Sequence, residues 1–234
     1  MGTTLFIIPA RKGSKGLPGK NTKILGSLPL ISYSINFAKR NKSENDEICI
    51  STDDEEVIRI AKESLVPPPF IRPNLLANDN ASTFDVIKHA LQYYLQLGKK
   101  FDNLVLLQPT SPFRLDSDLI QMRGKYIESN AEMVVSVKHA KENPYFTLFK
   151  ENEEGFIAKY LTEPIYTRRQ DCPPCYAYNG SIYLVNCMAF EKKGNFNFDK
   201  IVKHVMPEER SVDIDTITDW LIAEYYLNHT YENS

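Results

Sequence analysis

Four short stretches of the chain are apolar at consecutive rather than alternate positions. They are Leu5 to Pro9, Ile48-Cys49-Ile50 within Glu47 to Ser51, Leu104 to Leu107 within Asn103 to Leu107, and Met133-Val134-Val135-Ser136-Val137 within Ala131 to Val137. Each is too short for a helix, and a strand apolar on both faces belongs in a sheet covered on both sides. Between them the period lengthens: Pro29 to Arg40, Asp54 to Ser64 with its acidic first turn, Ser82 to Leu97 with Ser82 or Thr83 as cap, and a stretch beginning near Asp116 predict helices. Strand and helix alternate, which predicts a three-layer α/β fold around a mostly parallel sheet. The rhythm breaks over residues 141–178, which are polar and rich in Pro, Tyr and Arg; Ser181 to Val185 then returns to strand and Thr216 to Leu227 closes as an apolar helix. The expected organisation is a single domain over 1–234, with 141–178 inserted as an arm that packs on a second copy.

Composition narrows the partners. The 28 basic and 30 acidic residues leave a formal net charge of −2, spread along the chain, so no basic stripe is available to track a nucleic-acid backbone and a small-molecule partner is expected. The first apolar run passes directly into Ala10-Arg11-Lys12 with no basic region before it, which reads as a buried strand rather than a signal peptide. No stretch approaches the ~18 apolar residues of a membrane span, and the four cysteines form no dense framework. A cytoplasmic protein without membrane partner is expected.

The candidate chemistry begins where the first strand ends. Ala10-Arg11-Lys12-Gly13-Ser14-Lys15-Gly16-Leu17-Pro18-Gly19-Lys20-Asn21 combines glycines, whose N–H groups can approach an anion, with cations at a strand's carboxyl end. The spacing excludes a Walker loop, because five residues separate Gly13 from Gly19 and Asn21 follows Lys20; the glycines do not fit a dinucleotide fingerprint either. Near the other end, Asp213 and Asp215 flank Ile214, an alternation that in extended chain turns two hard oxygen ligands to one side and suits Mg²⁺; the competing reading is a turn before a helix cap. Cys172-Pro173-Pro174-Cys175 lacks the second pair a zinc site needs, and the four histidines are scattered, so a loop is expected there.

The first loop, with Ile8-Pro9 before it, resembles the signature of the acylneuraminate cytidylyltransferases, which make CMP-activated sialic acids and related nonulosonic acids. The likeness recurs at Ser51-Thr52-Asp53-Asp54, at Arg72-Pro73 with Leu76 to Thr83, at Leu107-Gln108-Pro109-Thr110-Ser111-Pro112, at Asn179-Gly180-Ser181-Ile182-Tyr183 and at Val212-Asp213-Ile214-Asp215-Thr216. The resemblance implies a Rossmann-like nucleotidyltransferase fold, a homodimer built through the arm, and transfer of CMP from CTP to the anomeric hydroxyl of an acidic sugar with release of pyrophosphate. It implies that Ala10, Arg11, Ser14, Lys20 and Asn21 hold the nucleotide's phosphates, with Lys15 a weaker candidate, and that Arg72 and Ala81 meet the cytosine. Asp213 and Asp215 would hold Mg²⁺, replaceable by Mn²⁺, and Thr83, Gln108, Arg169 and Phe196 would meet the sugar, Arg169 through its carboxylate. Arg11, Lys20, Asp213 and Asp215 would carry catalysis. Two departures, Ala177 before the Asn-Gly motif and Phe146 after Asn143-Pro144-Tyr145, leave N-acetylneuraminic acid, legionaminic acid or a related acid open. The alternatives are a Kdo cytidylyltransferase, disfavoured by Asn21 where that branch carries Pro, and a non-catalytic nucleotide-binding protein, disfavoured by the presence of Lys20, Asp213 and Asp215.

Overall fold

The computed structural model describes residues 2–13, 16–78 and 80–231, apart from the side chains of 230 and 231. In chain order its elements are β1 (Thr4–Ala10), a small hairpin of β2 (Ile24–Leu25) and β3 (Leu28–Pro29), α1 (Leu30–Asn41), β4 (Glu47–Thr52), α2 (Glu55–Glu63), α3 (Thr83–Gln96), β5 (Asn103–Leu107), α4 (Asp116–Ser129) and β6 (Met133–His139). There follow a second hairpin of β7 (Phe149–Glu151) and β8 (Ile157–Lys159), then β9 (Tyr176–Asn186), α5 (Cys187–Lys193), β10 (Ile201–Val205) and α6 (Ile217–Tyr226).

Six strands form one sheet in the order β10-β6-β9-β5-β1-β4. Five run the same way; β9 is antiparallel to both β5 and β6, which makes the sheet mostly parallel. The consecutive apolar residues divide by pleat as the pattern requires. Phe6, Ile8, Ile48, Ile50, Val105 and Leu107 pack with Ile31, Ile35, Val57, Ile60, Leu119 and Met122 of α1, α2 and α4. Leu5, Ile7, Cys49, Leu104 and Leu106 pack on the opposite face with Ile87, Ala90 and Tyr94 of α3 and with Phe190 of α5. Both faces are therefore dry and the three-layer arrangement follows. A third apolar cluster, Leu25, Leu30, Phe113, Ile214, Trp220 and Ala223, lies outside the sheet and ties the first hairpin, the chain after β5 and α6 together.

The helix caps confirm the local reading: Asp54 accepts from Glu56 N and Ser82 from Asp85 N. The two small hairpins, α5 and β10 have no counterpart in the hydrophobic pattern, and the strand expected at Ser181 to Val185 extends back to Tyr176, so the last three residues of the 141–178 excursion already pair with β6. The rest of the excursion centres on the β7–β8 hairpin, whose Phe149, Phe156 and Ile157 are exposed.

Candidate functional site

The parallel strands β1, β4 and β5 end at one edge of the sheet, where the chain leaves through Arg11, Asp53 and Gln108. Because β9 runs the other way and Ile182 is the partner of Leu107, Asn179–Ser181 lie at that same edge. Open α/β sheets bind ligands in this position.

The glycine-and-cation loop and the acidic segment meet here. Lys20 Nζ donates to Asp215 Oδ1 at 2.7 Å and to Ile214 O at 2.9 Å. The lysine side chain is 10% exposed and the Asp215 side chain 69%, so the pair is anchored on the protein side and open on the other. Gly16 permits the approach, since a Cβ there would lie 2.2 Å from Asp215 O. Asn21 is buried; its backbone O accepts from Ile31 N at the start of α1, and its Nδ2 donates to Arg11 O at 3.4 Å. Lys12 N donates to Asp53 Oδ1 at 2.7 Å, which fastens the start of the loop to the end of β4.

The acidic segment presents its carboxylates because Ile214 turns inward. That side chain is fully buried among Leu25, Leu30, Phe113 and Trp220, and its N–H donates to Thr110 O at 2.8 Å. The cap assignment resolves in favour of Thr216, whose hydroxyl accepts from Asp219 N while Asp219 reaches back to Thr216 N, a capping box that leaves the Asp215 side chain to Lys20. Asp213 is half-buried. Burial raises its pKa above the ordinary carboxylate range; Thr110 and Lys20 pull it down while the charges of Asp215 and Asp219 push it further up. Its Oδ1 is shielded from solvent and has no aligned hydrogen-bond partner among the described residues, and the Thr110 hydroxyl is in the same condition. Gly180, at φ +70°, backs the other oxygen: a Cβ would stand 3.1 Å from Asp213 Oδ2.

Two buried residues hold this edge in shape. Asn179 accepts from the Ser136 hydroxyl at 2.7 Å and donates to Ser211 Oγ at 2.9 Å, joining β6, β9 and the segment before Asp213. Arg114 donates to Ser181 O and to Ser34 Oγ, each at 2.9 Å, and to Gln108 O. Burial pushes the Arg114 guanidinium down to about 9, against the opposing pull of Asp213 and Asp118. The motif reading stopped at Pro112 and missed it; the available signal was a lone cation in the otherwise apolar Pro112-Phe113-Arg114-Leu115.

The remaining expected residues are spread more widely. Arg72 is buried beside β4, donating to Ser51 O and Oγ; burial lowers it to about 10, with Asp53 and Cys49 opposing and the nearby charge of Arg11 adding to the fall. Arg11 and Arg72 thus concentrate positive charge where β1 and β4 end. Gln108 is half-buried just past β5, Ala81 donates its N–H to Asn78 O at 3.3 Å, and Thr83 is exposed at the start of α3. Arg169 and Phe196 are not joined to the Lys20–Asp215 cluster by any contact among the described residues. Arg169 donates to Lys141 O inside the excursion, and Phe196 packs edge-on to Phe190, Tyr183 and Phe198. Ser14 and Lys15 lie outside the described residues. Cys172 and Cys175 are half-exposed free thiols.

Chemically, the edge offers cations on one wall and two carboxylates on the other. Among the described residues no group of three His, Cys, Asp or Glu side chains is placed to hold a metal ion. Asp213 and Asp215 offer two hard carboxylate oxygens, and a cation held there would need a ligand's oxygens or water to complete its shell.

A family model described as Cytidylyltransferase matches residues 5–233. The CMP-N,N'-diacetyllegionaminic acid synthase of Legionella pneumophila is 32% identical over 232 residues, covering 97% of either chain. The pseudaminic acid cytidylyltransferase of Campylobacter jejuni is 31% identical, covering 96% of this chain and 97% of its own. A solved structure of CMP:2-keto-3-deoxy-manno-octonic acid synthetase complexed with CTP superposes with a TM-score of 0.69 at 16% identity, covering 97% of this chain and 98% of that one, a likeness of the Rossmann-like α/β fold.

Proposed function

Because the chain belongs to the cytidylyltransferase family, we propose that it transfers CMP from CTP to the anomeric hydroxyl of a nonulosonic acid of the sialic, legionaminic or pseudaminic kind, releasing pyrophosphate. The observation that carries the reading is the 2.7 Å contact between Lys20 and Asp215, which brings the phosphate-type loop and the acidic pair to one edge of the sheet.

In this reading Arg11 and Lys20 take the triphosphate's oxygens, with Asn21 shaping the loop from below and Arg72 and Ala81 beside the base. Lys20 exchanges Asp215 for phosphate as the nucleotide enters, which frees the carboxylate. Asp213 and Asp215 would hold Mg²⁺, or Mn²⁺ in its place, whose chemistry when bound is to neutralise phosphate charge as a Lewis acid. The sugar's anomeric oxygen forms a bond to the α-phosphorus as the bond from that phosphorus to the β-bridging oxygen breaks. Pyrophosphate leaves with the electron pair, and the hydroxyl's proton passes to a carboxylate of the acidic pair. Fixed cations at the point where charge develops lower the barrier, and no covalent enzyme intermediate is required.

Thr83 and Gln108 lie at the sugar side of the edge. Arg169 and Phe196 make no contact with the Lys20–Asp215 cluster among the described residues, so the reading includes a homodimer in which the 141–178 excursion packs on a partner and presents Arg169 to its site. The exposed Phe149, Phe156, Ile157 and Ile165 support that packing. A cytoplasmic location goes with a nucleotide substrate; no helix among the described residues is long and apolar enough to cross a membrane.

The test is pyrophosphate release with each nucleoside triphosphate against N-acetylneuraminic, legionaminic, pseudaminic and Kdo acids, with and without Mg²⁺. Turnover is expected with CTP, Mg²⁺ and at least one nonulosonic acid. Turnover confined to Kdo would move the chain to the eight-carbon branch, and none with any acid would end the proposal.

A further inference from the structure

Among the described residues, the unpartnered buried side-chain atoms include Thr110 Oγ1 and Asp213 Oδ1. Two buried polar atoms without partners are expensive unless something pairs them, and these two stand on segments that lie side by side. The Ile214 N–H donates to Thr110 O at 2.8 Å, so the chain after β5 runs directly alongside the acidic segment. Thr110 is only 8% exposed, and its backbone carbonyl is hydrogen-bonded to the residue that directly follows Asp213. Two nearby donors are engaged, Ser111 Oγ with Asn179 O at 3.0 Å and the Arg114 guanidinium with Gln108 O, Ser181 O and Ser34 Oγ, while the Ser181 hydroxyl is also unpartnered. A threonine hydroxyl can rotate, whereas Asp213 is backed by Gly180, where a Cβ would stand 3.1 Å from its Oδ2.

We propose that Thr110 is a positioning residue for the reaction, its hydroxyl donating to Asp213 Oδ1 when the site is loaded and fixing the carboxylate so that its other oxygen faces the nucleotide and its cation. The inference rests on the cytidylyl-transfer reading. The residue belongs to the Gln108-Pro109-Thr110-Ser111-Pro112 motif, but its part in that motif is to aim an acidic residue from beneath rather than to meet a ligand itself. Groups that orient metal-holding carboxylates typically change metal affinity or turnover about 10- to 100-fold when removed.

The test compares Thr110→Val, which keeps the shape and deletes the hydroxyl, with Thr110→Ser, which restores it. Mn²⁺ binding in the presence of CTP is measured by electron paramagnetic resonance, and steady-state kinetics are measured with CTP and the preferred acid. Thr110→Val is expected to weaken Mn²⁺ binding and lower kcat, each by about 10-fold or more, with KM for CTP within about 2-fold, and Thr110→Ser to recover most of both losses. Melting temperatures of all three proteins identify a variant that merely folds poorly. Mn²⁺ binding and kcat unchanged in Thr110→Val, or a loss that Thr110→Ser fails to recover, overturns the proposal. A wild-type protein that binds Mn²⁺ and CTP but turns over no acid would instead sink the transfer reading, leaving the binding comparison to decide the role of Thr110.

Discussion

The sheet edge and the 141–178 excursion are built on opposite plans. At the edge, many polar side chains are paired across long stretches of chain: Lys20 with Asp215, Asn179 with Ser136 and Ser211, Arg114 with Ser34, Gln108 and Ser181. In the excursion, apolar side chains are exposed and many of the polar contacts are local, such as Arg168 with Asp171 and the Asn152 side chain with Glu154 and Phe156 N–H groups. One region gathers its charged and amide side chains from distant parts of a single chain. The other leaves apolar surface uncovered, as a segment does when another surface completes it.

The comparison breaks most directly at Asp215. Asp215→Asn keeps the size of the side chain and removes the charge that Lys20 meets, so turnover is expected to fall by about 10²–10³-fold, the range seen when one fixed electrostatic partner of a transition state is lost. The melting temperature should hardly move, because the carboxylate is mostly exposed and such pairs contribute only about 0–1 kcal/mol. Steady-state kinetics alongside thermal unfolding separates the two, and near-normal turnover would remove Asp215 from the site.

Charge pairs differ between the regions in the same sense, and pH exposes the difference. Asp118 is buried beneath the sheet, where burial alone would raise its carboxyl, but His204, the Leu115 N–H and Arg210 together hold it below the usual carboxylate range. A depressed folded-state value gives stability that is present above the unfolded value near 3.9 and lost as pH falls through the folded one. Asp118→Asn should therefore lower stability at neutral pH by roughly 3 kcal/mol, about 6–12 °C for a domain this size, and flatten the acid limb. Coincident acid limbs for variant and wild type would contradict this. The Lys141–Glu208 pair has exposed side chains, and replacing Glu208 by Gln should leave the whole profile in place.

The excursion is tested through association. Phe156→Ser combined with Ile157→Ser removes two side chains that are 67% and 69% exposed, so the folded monomer should retain its melting temperature. If a second copy covers them, the dimer dissociation constant should rise about 10- to 100-fold, equivalent to about 1.4–2.8 kcal/mol. Sedimentation equilibrium reads this; an unchanged monomer–dimer balance would mean that this hairpin is not the interface.

The buried strands were legible because their apolar residues are consecutive, and the site's two ends because glycine, cation and carboxylate patterns are local. What escaped the sequence depends on distant partners. The edge strand β10 is bonded on one side only and is largely exposed along Ile201–Val205, which dilutes its apolar signal, and its one buried residue, His204, is there because Asp118 pairs with it across the fold. Arg114 looks like a surface cation in sequence; its three acceptors lie in separate segments. Phe196, expected to meet the sugar, sits in a ring cluster with Phe190 and Phe198 that gives it a packing role within the chain.

The smallest effect expected separates a helix cap from a ligand one residue away. Thr216 caps α6 through Asp219, and Thr216→Ala deletes a hydroxyl that satisfies the Asp219 N–H, a loss of about 1 kcal/mol and some 2–4 °C in melting temperature. The Asp219 carboxylate would still accept from the backbone N–H groups of residues 215 and 216, so the acidic segment should keep its path and turnover should stay within about 3-fold. Asp215→Asn is expected to show the reverse: stability retained and turnover lost. If Thr216→Ala lowered turnover as much as Asp215→Asn, the two residues would be acting as one structural turn, and the separation between a capping threonine and a ligand-facing aspartate would fail.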